Sequence, residues 1–305
     1  MRSCFRNWPS EFGQASSGTP QWIFSHLPTG STWLCVISTL LVGTLTALPA
    51  RAEPRKMGLV TFYWPPGNTQ VVKSLESSAM PTIANFVRES YRLPAKFNVA
   101  VNGCTGNKDA ANATYMEESE DTGSQGEPNG ETLPAGILFC WELARAVKNS
   151  IDGTPYLTAD VRERLFSETM ALTLAHTFGH AFSNLFRLPN SSKNEQENFA
   201  DQVSVYLLVK AGMKKAGINA ATAVFVAGTK GDVFKKHSPD RRRLMNLACW
   251  SYGANPNEDL SKEYDAVAKQ WSDAASERRK NGCKVEWAMI EGSLDKFLEK
   301  HKKSR

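Results

Sequence analysis

Two histidines stand four residues apart in the stretch LAHTFGHAF, Leu174 to Phe182. On a helix, residues i and i+4 share a face, so His176 and His180 would aim two imidazoles at one point. Zinc peptidases hold their ion in this way, with a glutamate after the first histidine as general base. Here Thr177 occupies that position. A threonine hydroxyl does not titrate near neutrality and can only orient a water by hydrogen bonding. Taken alone, the two histidines are equally well explained as structural residues. Downstream, however, come Glu197 and Asp201, again four residues apart. Two histidines and a glutamate are a standard donor set for a catalytic zinc, which keeps its fourth position open. A ligating histidine usually donates its second N–H to an outer carboxylate, and Asp201 is spaced for that task. Glu195 competes with Glu197 but falls on another helix face. The residues therefore point to a Zn2+ site of His176, His180 and Glu197, backed by Asp201, with the general base lost at Thr177 and peptidase activity weak or absent. The alternatives are a working hydrolase whose base comes from elsewhere, such as Glu142 or a carboxylate in the acidic stretch 105–134, and a structural or binding protein that holds no metal.

Such a site needs two helices to carry it. Ala159 to Arg187 reads as one long helix stopped by Pro189, and Glu195 to Ala211 as a second. A short turn between them makes a hairpin. On the first helix Leu174, Phe178, Ala181, Phe182 and Leu185 form an apolar face. Thr173, His176, Thr177, His180 and Asn184 form a polar one, as a cleft wall would. Upstream, Met57 to Trp64, Phe97 to Gly103 and the GILFC run at 136–140 read as strands. Gln70 to Tyr91 reads as a helix broken near Pro81, and the WELARAVKNSI run after Cys140 as another. Thr105 to Pro134 is acidic and rich in Gly, Asn and Ser, and reads as a loop. Further helices are expected around 220–226, 239–252, 262–280 and 284–302. The fold class is α+β: a small strand-containing N-terminal part followed by a mostly helical, zincin-like part.

At this point a resemblance is visible. The chain resembles a family of bacterial metallopeptidases grouped under a domain of unknown function, whose recurrent pattern is HExGHAL, a Pro-containing turn, then GREEDAADQFA. This sequence reads HTFGHAF and then LPNSSKNEQENFADQVS. NATY (112–115), ILFCWEL, HSPDRRRLMNLACWSYGANP (237–256) and RRKNGCKVEW resemble further family segments, in the family's order and over nearly all of the chain after residue 52. The resemblance implies an exported, gluzincin-like zinc fold acting on or binding a peptide or protein. It carries over His176, His180 and Glu197 as ligands and Asp201 as their outer partner, and it places Cys104, Cys140, Cys249 and Cys283 where the family has its own cysteines. The chain departs from the pattern at Thr177, at Glu195-Gln196-Glu197-Asn198, and at Arg242-Arg243.

The remaining features bound the setting. Trp33 to Leu48 is a short uncharged apolar run followed by Ala50-Arg51-Ala52, an A-x-A cleavage pattern. Residues 1–52 read as a signal peptide and 53–305 as the exported domain, secreted or periplasmic; an inner-membrane signal anchor is the alternative. No stable membrane insertion is expected after removal of that segment, because the run is short for a span. Four cysteines remain, and an even number in an exported domain suggests two disulfides. Three pairings exist; nearest-neighbour pairing, Cys104 with Cys140 and Cys249 with Cys283, is the expectation. Lys and Arg number 36 against 31 Asp and Glu, a formal net charge of +5. The densest basic run, Lys300 to Arg305, lacks interleaved aromatics and reads as a solvated end, not a nucleic-acid surface.

Overall fold

The computed structural model describes residues 55–62, 69–104, 113–116, 136–188, 192–220, 241–269 and 276–303. The strands are β1 (Arg55–Met57), β2 (Val60–Phe62), β3 (Asn98–Asn102), β4 (Ala113–Met116) and β5 (Gly136–Cys140). They form one sheet in the order β1-β2-β3-β5-β4. β2, β3 and β5 run parallel, while β1 and β4 lie antiparallel at the two edges. The parallel centre is apolar, with Val60, Phe62, Val99, Val101, Ile137 and Phe139 all buried, as a sheet packed against helices requires.

The described helices of eight residues or more are α1 (Thr69–Glu76), α2 (Met80–Ser90), α3 (Trp141–Asp152), α4 (Ala159–Leu185), α5 (Lys193–Lys210), α6 (Arg241–Ala254), α7 (Glu258–Lys269) and α8 (Ser276–Glu299). α4 is the hub. Phe178 and Phe182 are fully buried and link by ring contacts to Phe97, Tyr91 and Phe186. Sheet and helices share one hydrophobic core. The chain divides into two units, Met1–Ala47 and Leu48–Arg305, and every described residue belongs to the second.

Several expectations are corrected. The run Met57 to Trp64 is not one strand. β1 and β2 are a hairpin in which Met57 faces Val60, and Gly58, at φ +64°, supplies the positive dihedral that a two-residue turn needs. The break before Pro81 spans Ser77 to Ala79, and Pro81 sits in the first turn of α2, where its missing N–H costs nothing. Within the expected loop 105–134, residues 113–116 form edge strand β4; the rest of that loop, like the helix expected at 220–226 beyond Ala220, lies outside the described residues. No break separates Lys280 from Lys284: α8 runs through Asn281-Gly282-Cys283. The Cys249–Cys283 disulfide and the burial of Cys283 and Trp287 hold that turn helical against its propensity. The basic C-terminus is docked: His301 stacks on Phe186, Arg92 donates its N–H to His301 O, and Lys303 donates to Ser90 O.

Candidate metal centre

The α4–α5 hairpin is closed at both of its inner ends by local hydrogen bonds. α4 stops ahead of Pro189 because Arg187 turns left-handed, at φ +51°. The N–H of Arg187 then reaches Asn184 O, and that of Leu188 reaches Ser183 O, which is a Schellman closure. α5 opens with a capping box. Ser192 Oγ accepts the N–H of Glu195, and Glu195 Oε2 accepts the N–H of Ser192 at 2.8 Å. Those bonds hold the Glu195 carboxyl below its usual range. Glu195 is therefore committed to the cap, which removes it as a rival ligand.

The hairpin brings the expected donors together. Nε2 of His176 and Nε2 of His180 are 3.0 Å apart. Glu197 Oε2 stands 3.4 Å from the first and Oε1 3.6 Å from the second. Two donors on a tetrahedral ion with bonds of about 2.0–2.1 Å would lie about 3.3 Å apart, so the three groups are already at ligand spacing. Asp201 sits behind them, with Oδ1 2.9 Å from His176 Nδ1. In an ion-holding site such a carboxylate takes the Nδ1–H and turns Nε2 toward the ion, and here Nε2 is the nitrogen that faces His180 and Glu197. The side chain of Asp201 is 5% exposed and that of His180 is 22%, so solvent reaches the cluster from the His180 side.

Electrostatics point the same way. Burial pushes the His176 imidazole toward neutrality, but Asp201 and Glu197 outweigh it and hold its pKa above the ordinary value. Burial likewise pushes Asp201 up, and Arg243 and His176 overcome it, leaving the carboxyl below its usual range. Two imidazoles and the Glu197 carboxylate converge on one point, while Arg243 pairs with the carboxylates behind it. This is the observation on which the donor set fits a divalent ion.

Two features depart from the sequence reading. Thr177 is not on the open face: it is 1% exposed, and its hydroxyl donates to Thr173 O at 2.9 Å. Thr169 and Thr173 make the same bond to the carbonyl four residues back. The Thr177 hydroxyl is thus already engaged away from the ligands. The second feature is Arg243 of α6, which entered the sequence analysis only as part of Arg242-Arg243, where the family has Gln-Arg. Its Nε and Nη2 hold Asp201 Oδ2 and Oδ1 at 2.7 and 2.8 Å, and Nη2 lies 3.1 Å from Glu197 Oε2. A signal existed. Arg241, Arg242 and Arg243 open a helix whose first turn has no acid, where the helix dipole disfavours cations; an arginine there calls for a carboxylate partner.

The cysteines pair as nearest neighbours, Cys104–Cys140 and Cys249–Cys283. Cys104, Cys140 and Glu142 also lie within ligand distance of one another, but both thiols are consumed in the disulfide. Glu142, considered as a substitute base, accepts the Cys104 N–H with both oxygens at 3.1 Å.

A mixed sheet followed by a helical hairpin that presents H-x-x-x-H and E-x-x-x-D side chains is an α+β architecture carrying a candidate His/Glu metal-binding group. The family described as "Putative metallopeptidase" matches residues 67–298, and the chain belongs to that family. No curated protein and no solved structure matches it.

Proposed function

We propose that this is an exported, zinc-holding member of the metallopeptidase family whose hydrolytic activity is weak or absent. The observation that carries the reading is the convergence of His176, His180 and Glu197, whose donor atoms all lie within 4.8 Å of one another, together with Thr177 at the general-base position. His176 and His180 donate through Nε2, Glu197 through its carboxylate, and Asp201 fixes the His176 tautomer. When bound, the ion supplies Lewis acidity toward a carbonyl and acidifies a water. The chain offers no carboxylate at position 177 to take the proton. General-base help of this kind is worth roughly 10² to 10⁴ in rate, and the engaged, buried hydroxyl of Thr177 does not replace it. The role left to the site is binding a peptide or protein, with slow cleavage at most. Export is supported by the two disulfides, which persist in oxidising compartments. The apolar run Trp33 to Leu48 lies outside the described residues, and among those described no helix is long and apolar enough to cross a membrane.

Metal analysis of the purified, disulfide-bonded protein, paired with cleavage of unfolded peptides with and without chelator, tests the reading. About one zinc per chain and little chelator-sensitive cleavage are expected. Rapid chelator-sensitive cleavage would show that another group acts as base. A metal-free protein that takes up no zinc on addition would remove the metal centre altogether.

A further inference from the structure

Arg243 reaches the donor set from a third helix. It binds Asp201 through both carboxylate oxygens, at 2.7 and 2.8 Å, and its Nη2 also contacts Glu197 Oε2 at 3.1 Å. Oε2 also stands 3.4 Å from His176 Nε2, so imidazole and guanidinium meet at that oxygen, while the other oxygen, Oε1, faces His180 Nε2 at 3.6 Å. One guanidinium thus spans the outer carboxylate and the ligand carboxylate. A guanidinium is a planar fork of fixed charge, so with Asp201 on its Nε and Nη2 its position beside Oε2 is set. The side chains of Asp201, Glu197 and Arg243 are 5%, 12% and 20% exposed, so water screens these contacts little.

A carboxylate can hold an ion with one oxygen or with two. Zinc in a site of this type takes three protein donors and keeps one position open. Harder ions such as manganese and calcium favour oxygen donors, and calcium commonly takes both oxygens of a carboxylate. We propose that Arg243 is a positioning residue that limits Glu197 to one coordinating oxygen and thereby sets the ion preference of the site toward zinc. An ion chelated by both oxygens would have to share Oε2 with the guanidinium, against the repulsion of two cations on one oxygen. An ion held by a single oxygen and the two imidazoles avoids that conflict. This inference rests on the metal-centre reading above and adds to it the residue that selects the ion.

The test loads the full disulfide-bonded chain with Co2+, whose visible bands report coordination number, and separately measures competition between Zn2+ and Mn2+. In the unmodified protein the Co2+ bands should be those of a four-coordinate ion, and zinc should win the competition. In Arg243→Gln the bands should weaken toward a higher-coordinate spectrum. The preference for Zn2+ over Mn2+ should fall roughly 10- to 100-fold, the range typical of outer-shell changes. Arg243→Lys provides a second variant should the glutamine protein not fold. It keeps the charge but presents no fork, so it cannot hold Asp201 and Glu197 together, and it should show the same change to a smaller degree. Unmodified spectra and an unmodified ion ratio in whichever of these variants fold would overturn the inference while leaving the metal centre standing. Failure of the unmodified protein to bind any of the three ions would instead refute the metal centre.

Discussion

If the site holds zinc as proposed, Thr177 places a methyl and a hydroxyl where hydrolysis needs a carboxylate. If that is the sole defect, Thr177→Glu should raise chelator-sensitive peptide cleavage by roughly 10² or more. The same change puts a carboxylate at a position 1% exposed, so the chelated variant should be less stable, and zinc should restore stability. A zinc-loaded variant that stays inert would show that the cleft has lost more than its base. The ligands make a simpler prediction: His180→Ala should abolish zinc binding, and Asp201→Ala should weaken it roughly 10- to 100-fold, both read by metal titration. Unchanged zinc content in His180→Ala would sink the ligand assignment. The site should also mark the pH dependence of the chelated protein. Asp201 has a lowered pKa in the fold, so its contribution is present above its ordinary 3.8 and is lost as pH falls through the lowered value. His176 has a raised pKa, so its contribution is full below its ordinary 6.5 and is lost as pH rises through the raised value. Thermal melts of chelated protein should therefore decline above about pH 6.5, and zinc should reduce that decline, because metal takes the place of the proton.

The elements converge because α4 and α5 pack unusually close at one point. Gly179 sits between the two histidines, and a Cβ built there would lie 2.5 Å from the Cα of Ala200. Elsewhere on a helix, Gly→Ala gains roughly 0.5–1 kcal/mol. Here the overpacking term, about 1–3 kcal/mol, should win. Gly179→Ala should then lower the denaturation midpoint and weaken zinc binding by separating Glu197 from the imidazoles. A variant at least as stable as the parent, with unchanged zinc affinity, would show that the close approach is not what sets the site. The glycine was visible in HTFGHAF, but its role was not, because a sequence does not say which backbone will lie against it. Thr177 lies off the polar face that its neighbours suggest, for a related reason. It is adjacent to His176 and polar, yet back-bonding to Thr173 O lets a threonine sit in a core.

At the scale of the molecule two disulfides tie elements together. Cys104–Cys140 joins the end of β3 to the start of α3, and Cys249–Cys283 ties α6, the helix of Arg243, to α8. The sequence separations are 36 and 34, for which loop-closure entropy predicts about 3–4 kcal/mol per bridge. Cys249→Ser with Cys283→Ser should lower unfolding free energy by about that amount. It should also loosen zinc binding, because α6 would carry Arg243 less firmly. Zinc affinity unaffected by the loss of this bridge would detach α6 from the metal centre.

The α+β class, the helical hairpin, the candidate donor residues and the even cysteine count were all legible in the sequence alone, for local reasons. Helical spacing aligns His176 with His180 and Glu197 with Asp201 whatever surrounds them, and alternating β-branched runs make strands. The apolar stretch 57–64 was legible as strand but not as a hairpin, since Gly58 is as compatible with a continuous edge as with a turn. The strand at 113–116 was hidden because it is an edge, polar in context and formed by pairing with β5. Helix face alone favours Glu197 over Glu195, and the tertiary structure adds the reason: Glu195 caps α5 while Glu197 turns to the imidazoles. Only the tertiary structure brought Arg243 to Asp201 across 42 residues. Charge pairing of that kind depends on where α6 packs, and packing is set by the whole core.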